Sequence, residues 1–214
     1  MKNPKSITVF AANCRGNPAN CLYPNRIEIT DEASAMVAFA QDLVCAEYKN
    51  NYRSVENFLI SNALPMDCDN DHTVDSAKWI TEEDLAQIFP DVTYVVHYSR
   101  HHMKPKDNKS ARPRFHVVFL IDPETDPKSY ANMKQRMLAA YPFFDDNALD
   151  AGRFFFGNPD TEVYSFPGRI TLTQFMEEQE AERAFAGPLQ RSPWHLSSTP
   201  SRNMSMPLSE SSAS

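Results

Sequence analysis

Two aspartates stand two positions apart where an apolar segment ends, in the run Met66-Asp67-Cys68-Asp69. On an extended strand their carboxylates point to one face of the sheet, while Cys68 points into the opposite layer. Carboxylate oxygens are the ligands that Mg²⁺ and Mn²⁺ prefer, and such ions can activate a hydroxyl and neutralise phosphate charge during phosphoryl transfer. The spacing of Asp67 and Asp69 therefore fits a divalent-metal site, and it also fits a solvated acidic turn.

The acidic run extends to Asp71, which gives it the beginning of a calcium-loop pattern. A calcium loop fits poorly, because its sixth position is His72 instead of glycine and its twelfth is Lys78 instead of glutamate. Asp71 would share the face of Asp67 and Asp69 only if the strand continued. We therefore expect Asp71 to be a turn residue or to support the metal ligands.

A histidine follows in the apolar run Arg114-Phe115-His116-Val117-Val118-Phe119. Strand alternation places Arg114, His116 and Val118 on one side. A histidine on an apolar strand is more often a core residue than a functional one. Here it shares its face with an arginine at the end of a basic segment, which favours contact with phosphate, because imidazole and guanidinium groups both donate hydrogen bonds.

A third candidate is the run Phe143-Phe144-Asp145-Asp146, with Arg153 eight residues after Asp145. Taken alone, this run reads as a turn rich in Asp and Asn. Asp145 is preferred over Asp146 as a metal ligand because it directly follows the apolar pair. A slip of one residue would give the role to Asp146.

The charges are unevenly distributed along the chain. Residues 99–116 carry six basic side chains and one acidic side chain, Asp107, so this segment has a net charge of +5 in a chain of net charge −7. The six basic residues are Arg100, Lys104, Lys106, Lys109, Arg112 and Arg114. A local basic patch on an acidic body suits a protein that grips phosphates at one place, and a solvated basic loop has the same charge.

These residues need elements that hold them in position. Period-two and β-branched runs predict strands over residues 5–10, Phe58–Asp67, Val92–Tyr98, Phe115–Ile121 and Arg153–Gly157. Helical spacing and capping residues predict helices in Asp31–Tyr48, from Thr81 to Phe89, after Asp126-Pro127 and from Thr171. Residues 99–113 then form the long connection of a hairpin. Without strict βαβ alternation, the expected fold class is α+β with a mixed or antiparallel sheet and flanking helices.

Composition sets the remaining limits. A chain of 214 residues with 42% hydrophobic residues can build one sizeable core, which we expect in residues 1–187. Residues 188–214 are rich in serine and are expected to be disordered. Four cysteines without a CxxC pair, no signal-peptide pattern and no long apolar run predict a cytoplasmic protein that does not enter a membrane.

Taken together, the three motifs resemble those of the archaeo-eukaryotic primase superfamily, the primase-polymerases of phages, plasmids and mobile elements. The resemblance rests on Met66-Asp67-Cys68-Asp69, Arg114-Phe115-His116 and Phe144-Asp145, which occur in the family's order. The runs KSARPRFHVVF and DNALDAGRFFFG are similar to those of phage and plasmid members. The resemblance covers about Ile7 to Glu180 and implies a catalytic core with an RRM-like palm.

The resemblance also implies roles for individual residues. Asp67, Asp69 and Asp145 would be the catalytic residues that hold two divalent ions, Mg²⁺ or Mn²⁺. His116 would contact the phosphates of the incoming nucleotide, and Arg153 would help to position phosphate or template. Further nucleotide contacts are expected from Lys109, Arg112 and Arg114. Contacts to nucleic acid are expected from Arg100, His102, Lys104 and Lys106.

The function implied is primer synthesis or extension on a single-stranded DNA template from nucleoside triphosphates, in the replication of a phage, plasmid or mobile element. A replicative helicase is an expected partner, since many relatives continue into one. Two alternatives stay open. One is a replication-associated nucleic-acid-binding module without catalysis, and the other is a metal-dependent nuclease. Intact Asp67, Asp69, His116 and Asp145 argue against the inert module, because clustered carboxylates repel one another and serve no purpose in a pure binder.

Overall fold

The computed structural model describes residues 6–146, 149–160 and 162–186, and the expected serine-rich tail lies outside these ranges. Within them the chain forms two sheets and four α-helices, and the strands of each sheet pair antiparallel. The predicted α+β class is confirmed. None of the helices in the described ranges has the length and apolarity needed to cross a membrane.

The smaller sheet has four strands in the order β2-β1-β3-β8. Its strands are β1 Ile7–Ala11, β2 Asn25–Ile29, β3 Leu43–Val44 and β8 Phe154–Phe155. The first predicted strand is therefore found, and the predicted strand at Arg153–Gly157 is reduced to two residues. Arg153 directly precedes these two residues, Phe154 and Phe155, and its side chain reaches the larger sheet.

The larger sheet has five strands in the order β4-β5-β7-β6-β9. Its strands are β4 Glu47–Tyr48, β5 Phe58–Cys68, β6 Tyr94–Tyr98, β7 Phe115–Glu124 and β9 Val163–Phe166. The long central strands β5 and β7 are those that the sequence predicts. β6 and β7 form the predicted hairpin, so residues 99–113 connect them at the end of the sheet where β5 terminates.

The helices are α1 Glu32–Phe39, α2 Glu82–Ile88, α3 Pro127–Ala140 and α4 Leu172–Ala186. Three begin at the predicted caps. Thr81 and Asp84 form a capping box on α2, and Asp126 accepts a hydrogen bond from the first turn of α3. Thr171 and Gln174 exchange two hydrogen bonds, of 3.1 and 3.2 Å, at the start of α4. Each cap satisfies backbone N–H groups that the helix itself leaves unpaired.

One predicted element is wrong. The apolar spacing over Asp31–Tyr48 predicts a single helix, but α1 ends at Phe39 and the rest forms β3 and β4. Leu43 and Val44 are fully buried and pair with β1 on one side and β8 on the other. Pairing with strands distant in sequence therefore overrides a local helical pattern.

The larger sheet is covered on both faces. One face packs against α2, α3 and α4 through side chains such as Met66, Phe119 and Leu172. The other packs against α1 and the smaller sheet through Val95, Val118 and Phe39 among others. Alternation along β5 and β7 puts Cys68 on the helical side and leaves Asp67 and His116 on the side of the smaller sheet. The candidate residues thus emerge at one end of the interface between the two sheets.

Candidate active site

Three polar side chains occupy one row across the larger sheet. Asp67 lies opposite His116, and His116 lies opposite His97 on the next strand. The Nε2 atom of His116 is 3.6 Å from Oδ1 of Asp67, and its Nδ1 atom is 3.0 Å from Nε2 of His97. The rings are held by stacking, that of His97 on Phe39 with centroids 3.9 Å apart and that of His116 on Phe155 at 4.3 Å.

The third predicted carboxylate joins this row through its backbone. The amide of Asp145 donates to the carbonyl of Asp67 at 2.9 Å, and the amide of Asp69 donates to Oδ2 of Asp145 at 3.2 Å. Asp146 is exposed, whereas Asp145 is half-buried beside Asp67 and Asp69. The structure therefore brings together Asp67, Asp69 and Asp145, and it places Asp146 outside the group.

Cations from two separate segments face these carboxylates. Arg153 forms an ion pair with Oδ2 of Asp67, and Lys106 forms one with Oδ2 of Asp69 at 2.8 Å. Nε of the buried Arg114 is 4.0 Å from Oδ1 of Asp69. Positive charge from the basic segment, residues 99–116, and from Arg153, directly before β8, therefore surrounds the three carboxylates.

These cations do not fully offset the burial and the mutual repulsion of the three carboxylates. Burial, together with the nearby charges of Asp69, Asp67 and Asp71, raises the pKa of Asp145 to about 7. Burial also raises the pKa of Asp67, although Arg153 and Lys134 act in the opposite direction. Oδ1 of Asp67 is buried and has no hydrogen-bond partner among the described residues. A buried carboxylate oxygen without a partner is costly, so this group would gain from an additional cation.

The donor set fits a hard divalent cation, since all three side chains offer oxygen atoms. In the described ranges, no group of three or more His, Cys, Asp and Glu side chains is arranged as metal ligands. Asp67 and Asp69 instead contact the cationic groups of Arg153 and Lys106. The unpartnered oxygen of Asp67 and the raised pKa of Asp145 are the observations that make the residues suitable for a metal ion.

No protein-family model and no curated protein matches the chain. Among solved structures, the chain is similar to the AEP domain of the primase-polymerase (PrimPol) of cyanophage S-2L. The similarity covers 82% of this chain and 88% of that one, with 12% sequence identity and a TM-score of 0.44. A similarity this low assigns no function to any residue of this chain.

The imidazole of His116 is electrically neutral at pH 7. Burial, with the positive charges of Arg153, Lys106 and Arg100, lowers its pKa to about 3. Burial and the neighbouring His116 also lower the pKa of His97 well below its ordinary value. His116 can therefore offer a phosphate a hydrogen bond, but not a full positive charge.

Side chains of the basic segment contact the acidic turn that follows β5. Lys109 pairs with Asp71 at 2.6 Å, and Arg112 donates to the carbonyl of Asn70 at 2.9 Å while its guanidinium lies over the ring of Trp79. Asp71 therefore lies in a turn and contacts the basic segment, not the other carboxylates. This agrees with the expectation that Asp71 is a turn residue.

Two arginines of the basic segment, residues 99–116, are buried, whereas a solvated basic loop would expose them. Arg112 is 4% exposed and Arg114 is completely buried. Arg114 donates to the carbonyls of His101 and Lys104 at 3.2 and 2.7 Å. Both guanidinium groups donate to backbone carbonyls, while Nε and one terminal nitrogen of Arg114 have no hydrogen-bond partner among the described residues. The expected contact of Arg112 and Arg114 with a nucleotide stays a prediction, made from two buried side chains.

The other predicted nucleic-acid contacts differ in accessibility. Arg100 and Lys104 are exposed, and the guanidinium of Arg100 lies 4.4 Å from the ring centroid of Phe156. His102 is half-buried, stacks on Tyr98 at 3.6 Å and approaches the backbone of Arg114. Arg100 and Lys104 are thus accessible to a ligand, although the ammonium of Lys104 donates to the carbonyl of Arg100, while His102 supports the loop.

Two residues of the site, His97 and Lys134, are not among those that the sequence predicts. Lys134 on α3 is 1% exposed and donates to the carbonyl of Asp150 at 3.1 Å. Burial lowers its pKa to about 8, partly offset by Cys45, Asp150 and Asp67. It adds positive potential behind Asp67. A hairpin between the two predicted strands can place His97 opposite His116, but the strand patterns alone do not specify the register that does so.

Proposed function

We propose that this chain is a nucleotidyltransferase of the primase-polymerase type. It would add nucleotides from triphosphates to a strand paired with a single-stranded DNA template, with Mg²⁺ or Mn²⁺ as cofactor. The observation that carries the proposal is the convergence of Asp67, Asp69 and Asp145 around a buried carboxylate oxygen that has no hydrogen-bond partner in the described ranges. Such a cluster is costly to the fold, and a bound cation would offset the cost.

Asp67, Asp69 and Asp145 would hold the metal. When bound, a divalent ion lowers the pKa of an attacking hydroxyl and stabilises the negative charge of the phosphoryl group in transfer. The protein's own part is to fix the carboxylates. Two hydrogen bonds do this, one from the amide of Asp145 to the carbonyl of Asp67 and one from the amide of Asp69 to the carboxylate of Asp145, and both join residues more than seventy positions apart in sequence.

The surrounding side chains suit a triphosphate. His116 presents a neutral ring beside Asp67, and Arg153 and Lys106 bring positive charge to the same point. Guanidinium and ammonium groups bind phosphate oxygens through charge-assisted hydrogen bonds. The exposed Arg100 and Lys104 lie on the loop that borders the group and would contact the nucleic-acid backbone, in a salt-dependent manner.

The proposal is tested by incorporation of a labelled nucleotide on a single-stranded template, with and without a primer, in Mg²⁺ or Mn²⁺. We expect extension of the primer by the wild-type protein and its loss in the Asp67→Ala/Asp69→Ala variant and in EDTA. Circular dichroism of the variant controls for folding. Primer-independent products would show priming as well as extension.

Two results would replace the proposal by its alternatives. Degradation of the template in place of extension would identify a metal-dependent nuclease, which needs the same carboxylates. Binding of single-stranded DNA without any chemistry, in both metals and with all nucleotides, would identify a non-catalytic binding module.

A further inference from the structure

The turn directly before Arg153 is held by side chains of other elements. Its three consecutive backbone carbonyls each accept a hydrogen bond from a different side chain. The donor and acceptor pairs are Lys134 Nζ with Asp150 at 3.1 Å, the Tyr48 hydroxyl with Ala151 at 2.5 Å, and Arg53 Nη1 with Gly152 at 2.9 Å. We call the three donors Lys134, Tyr48 and Arg53 the carbonyl clamp.

The clamp residues come from three separate parts of the fold. Tyr48 ends β4, Arg53 lies between β4 and β5, and Lys134 lies on α3. Lys134 is 1% exposed and Tyr48 is 4% exposed. A buried ammonium is a costly donor for a neutral carbonyl, which a hydroxyl or an amide could bond as well. The clamp therefore does more than supply partners to buried carbonyls.

The chain is also held on the other side of Arg153. The two residues of β8 pair with β3, and the amide of Gly157 donates to the carboxylate of Asp42 at 2.8 Å. The backbone of Arg153 thus lies between two anchored stretches, and its guanidinium reaches Oδ2 of Asp67. Anchoring a long side chain in advance reduces the conformational entropy that is lost when it binds a ligand.

Arg153 remains accessible although its backbone is held. Its side chain is 29% exposed, whereas that of Arg114, which also faces the carboxylates, is 1% exposed. Guanidinium groups bind phosphate oxygens through charge-assisted hydrogen bonds, often two at a time. Arg153 can therefore meet a phosphate that enters from solvent beside Asp67.

We propose that the carbonyl-clamp residues are positioning residues that hold Arg153 beside Asp67, in place to bind the triphosphate of the incoming nucleotide. The contact with the triphosphate rests on the proposed function, whereas the anchoring of Arg153 does not. The two parts are measured separately, first without metal or nucleotide and then in the incorporation assay.

The anchoring is measured by ¹⁵N NMR relaxation of the backbone amide of Arg153 in the metal-free protein. We expect an order parameter of about 0.85 in the wild-type protein and below about 0.6 in Tyr48→Phe/Lys134→Met. Tyr130→Phe is the matched control, because the Tyr130 hydroxyl also donates to a buried backbone carbonyl, that of Ala63 at 2.7 Å. It should leave the order of Arg153 unchanged. An ordered Arg153 amide in the double variant overturns the proposal.

The role in positioning is measured by a double-mutant cycle in the incorporation assay. Tyr48→Phe keeps the ring and removes the donor, so we expect the KM for the nucleotide to rise about 5-fold with kcat within about 2-fold. In the Arg153→Gln background the same substitution should change KM by less than about 1.5-fold, because Tyr48 then has no guanidinium to position. Tyr130→Phe should keep KM within about 2-fold of the wild-type value.

The outcomes separate this proposal from the proposed function. Equal effects of Tyr48→Phe with and without Arg153, or equal effects of Tyr48→Phe and Tyr130→Phe, would show a merely structural role. If the double variant does not fold, Tyr48→Phe alone serves in both measurements. An inert wild-type protein in which the clamp orders Arg153 would refute the enzyme and the triphosphate contact and leave the anchoring in place. An active protein with an unchanged KM in Tyr48→Phe would refute the positioning role and leave the enzyme.

Discussion

Two regions of the molecule bury an aspartate, and they differ in the hydrogen bonds that they provide to its carboxylate. Asp42, between α1 and β3, is fully buried, and its carboxylate accepts backbone hydrogen bonds from Gly16 at 2.9 Å, Asn17 at 3.0 Å and Gly157 at 2.8 Å. Asp67 leaves one oxygen without a partner in the described structure and lies beside other carboxylates.

The difference separates a structural carboxylate from a candidate ligand. Around Asp42 the chain supplies N–H donors from three residues distant in sequence, so the charge fastens loops together. An added Cβ on Gly157 would lie 2.5 Å from the carbonyl carbon of Gln41, which shows how closely these backbones approach. Around Asp67 the chain supplies two further carboxylates and one donor, Arg153, which reaches Oδ2 and leaves Oδ1 without a hydrogen-bond partner among the described residues. Burial alone would not have distinguished the two regions.

The largest expected effect is on stability at Asp42. Asp42→Ala leaves three backbone N–H groups without their acceptor, and we expect a loss of about 4 kcal/mol in the free energy of unfolding. Asp145→Asn should leave the free energy of unfolding unchanged or raise it, because it removes a charge from a crowded group. Urea denaturation of both variants measures this. Equal destabilisation by the two substitutions would contradict the distinction.

The next effect is on metal affinity and uses neighbouring aspartates as a matched pair. Asp145→Asn should weaken Mn²⁺ binding by about 100-fold or more, since it removes a carboxylate of the cluster. Asp146→Asn should change it by less than about 2-fold, because Asp146 is exposed and outside the group. Isothermal titration calorimetry with Mn²⁺ measures both. A greater loss in Asp146→Asn would move the ligand by one residue.

The pH dependence of Mn²⁺ binding sharpens the comparison further. The raised pKa of Asp145, about 7, means that a proton competes with the metal below that pH. Apparent affinity should therefore fall by up to about tenfold per pH unit below 7 and level off above it. For the metal-free protein the sign is opposite, since a carboxyl with a raised pKa contributes stability below its unfolded-state pKa that is lost as pH rises through 7.

Titration of the wild-type protein and of Asp145→Asn at several pH values between 5.5 and 8.5 tests this. The slope should be present in the wild-type protein and reduced in the variant. An affinity that is independent of pH in the wild-type protein would show that Asp145 does not bind the metal.

The smallest expected effect concerns the cations that now face the cluster. Lys106→Gln should raise Mn²⁺ affinity by about 3-fold, because the half-exposed pair between Lys106 and Asp69 competes weakly with the metal. Lys109→Gln is the matched control, since Lys109 pairs with Asp71 outside the cluster. Its affinity should equal that of the wild-type protein. An equal rise in both variants would indicate a general effect of net charge.

Much of the fold could be predicted because its signals are local. The capping boxes at Thr81 and Thr171 fix helix starts through neighbouring residues, and alternation in Phe115–Glu124 fixes which side chains share a face. The helix expected over Asp31–Tyr48 failed because Leu43 and Val44 are recruited by β1 and β8. Such pairing depends on chain segments far away in sequence, which periodicity does not report.

The site was predictable in a similar, partial way. Asp67, Asp69, His116 and Asp145 are brought together as expected, but their roles stay predictions. His97 was missed because its position beside His116 depends on the register between β6 and β7. The burial of Arg112 and Arg114 was missed because charge alone predicts a solvated loop, whereas carbonyls of His101, Lys104 and Asn70, distant in sequence from at least one of the arginines, accept hydrogen bonds from their guanidinium groups.

The central claim, that the cluster of Asp67, Asp69 and Asp145 transfers nucleotides, is tested most directly by one incorporation measurement. Wild-type protein, Asp145→Asn and Asp146→Asn are compared on the same primed single-stranded template with Mn²⁺ and a labelled nucleoside triphosphate. We predict extension by the wild-type protein and by Asp146→Asn, and a loss of at least about 10³-fold in Asp145→Asn. Full activity in Asp145→Asn, or none in the wild-type protein, would contradict the claim.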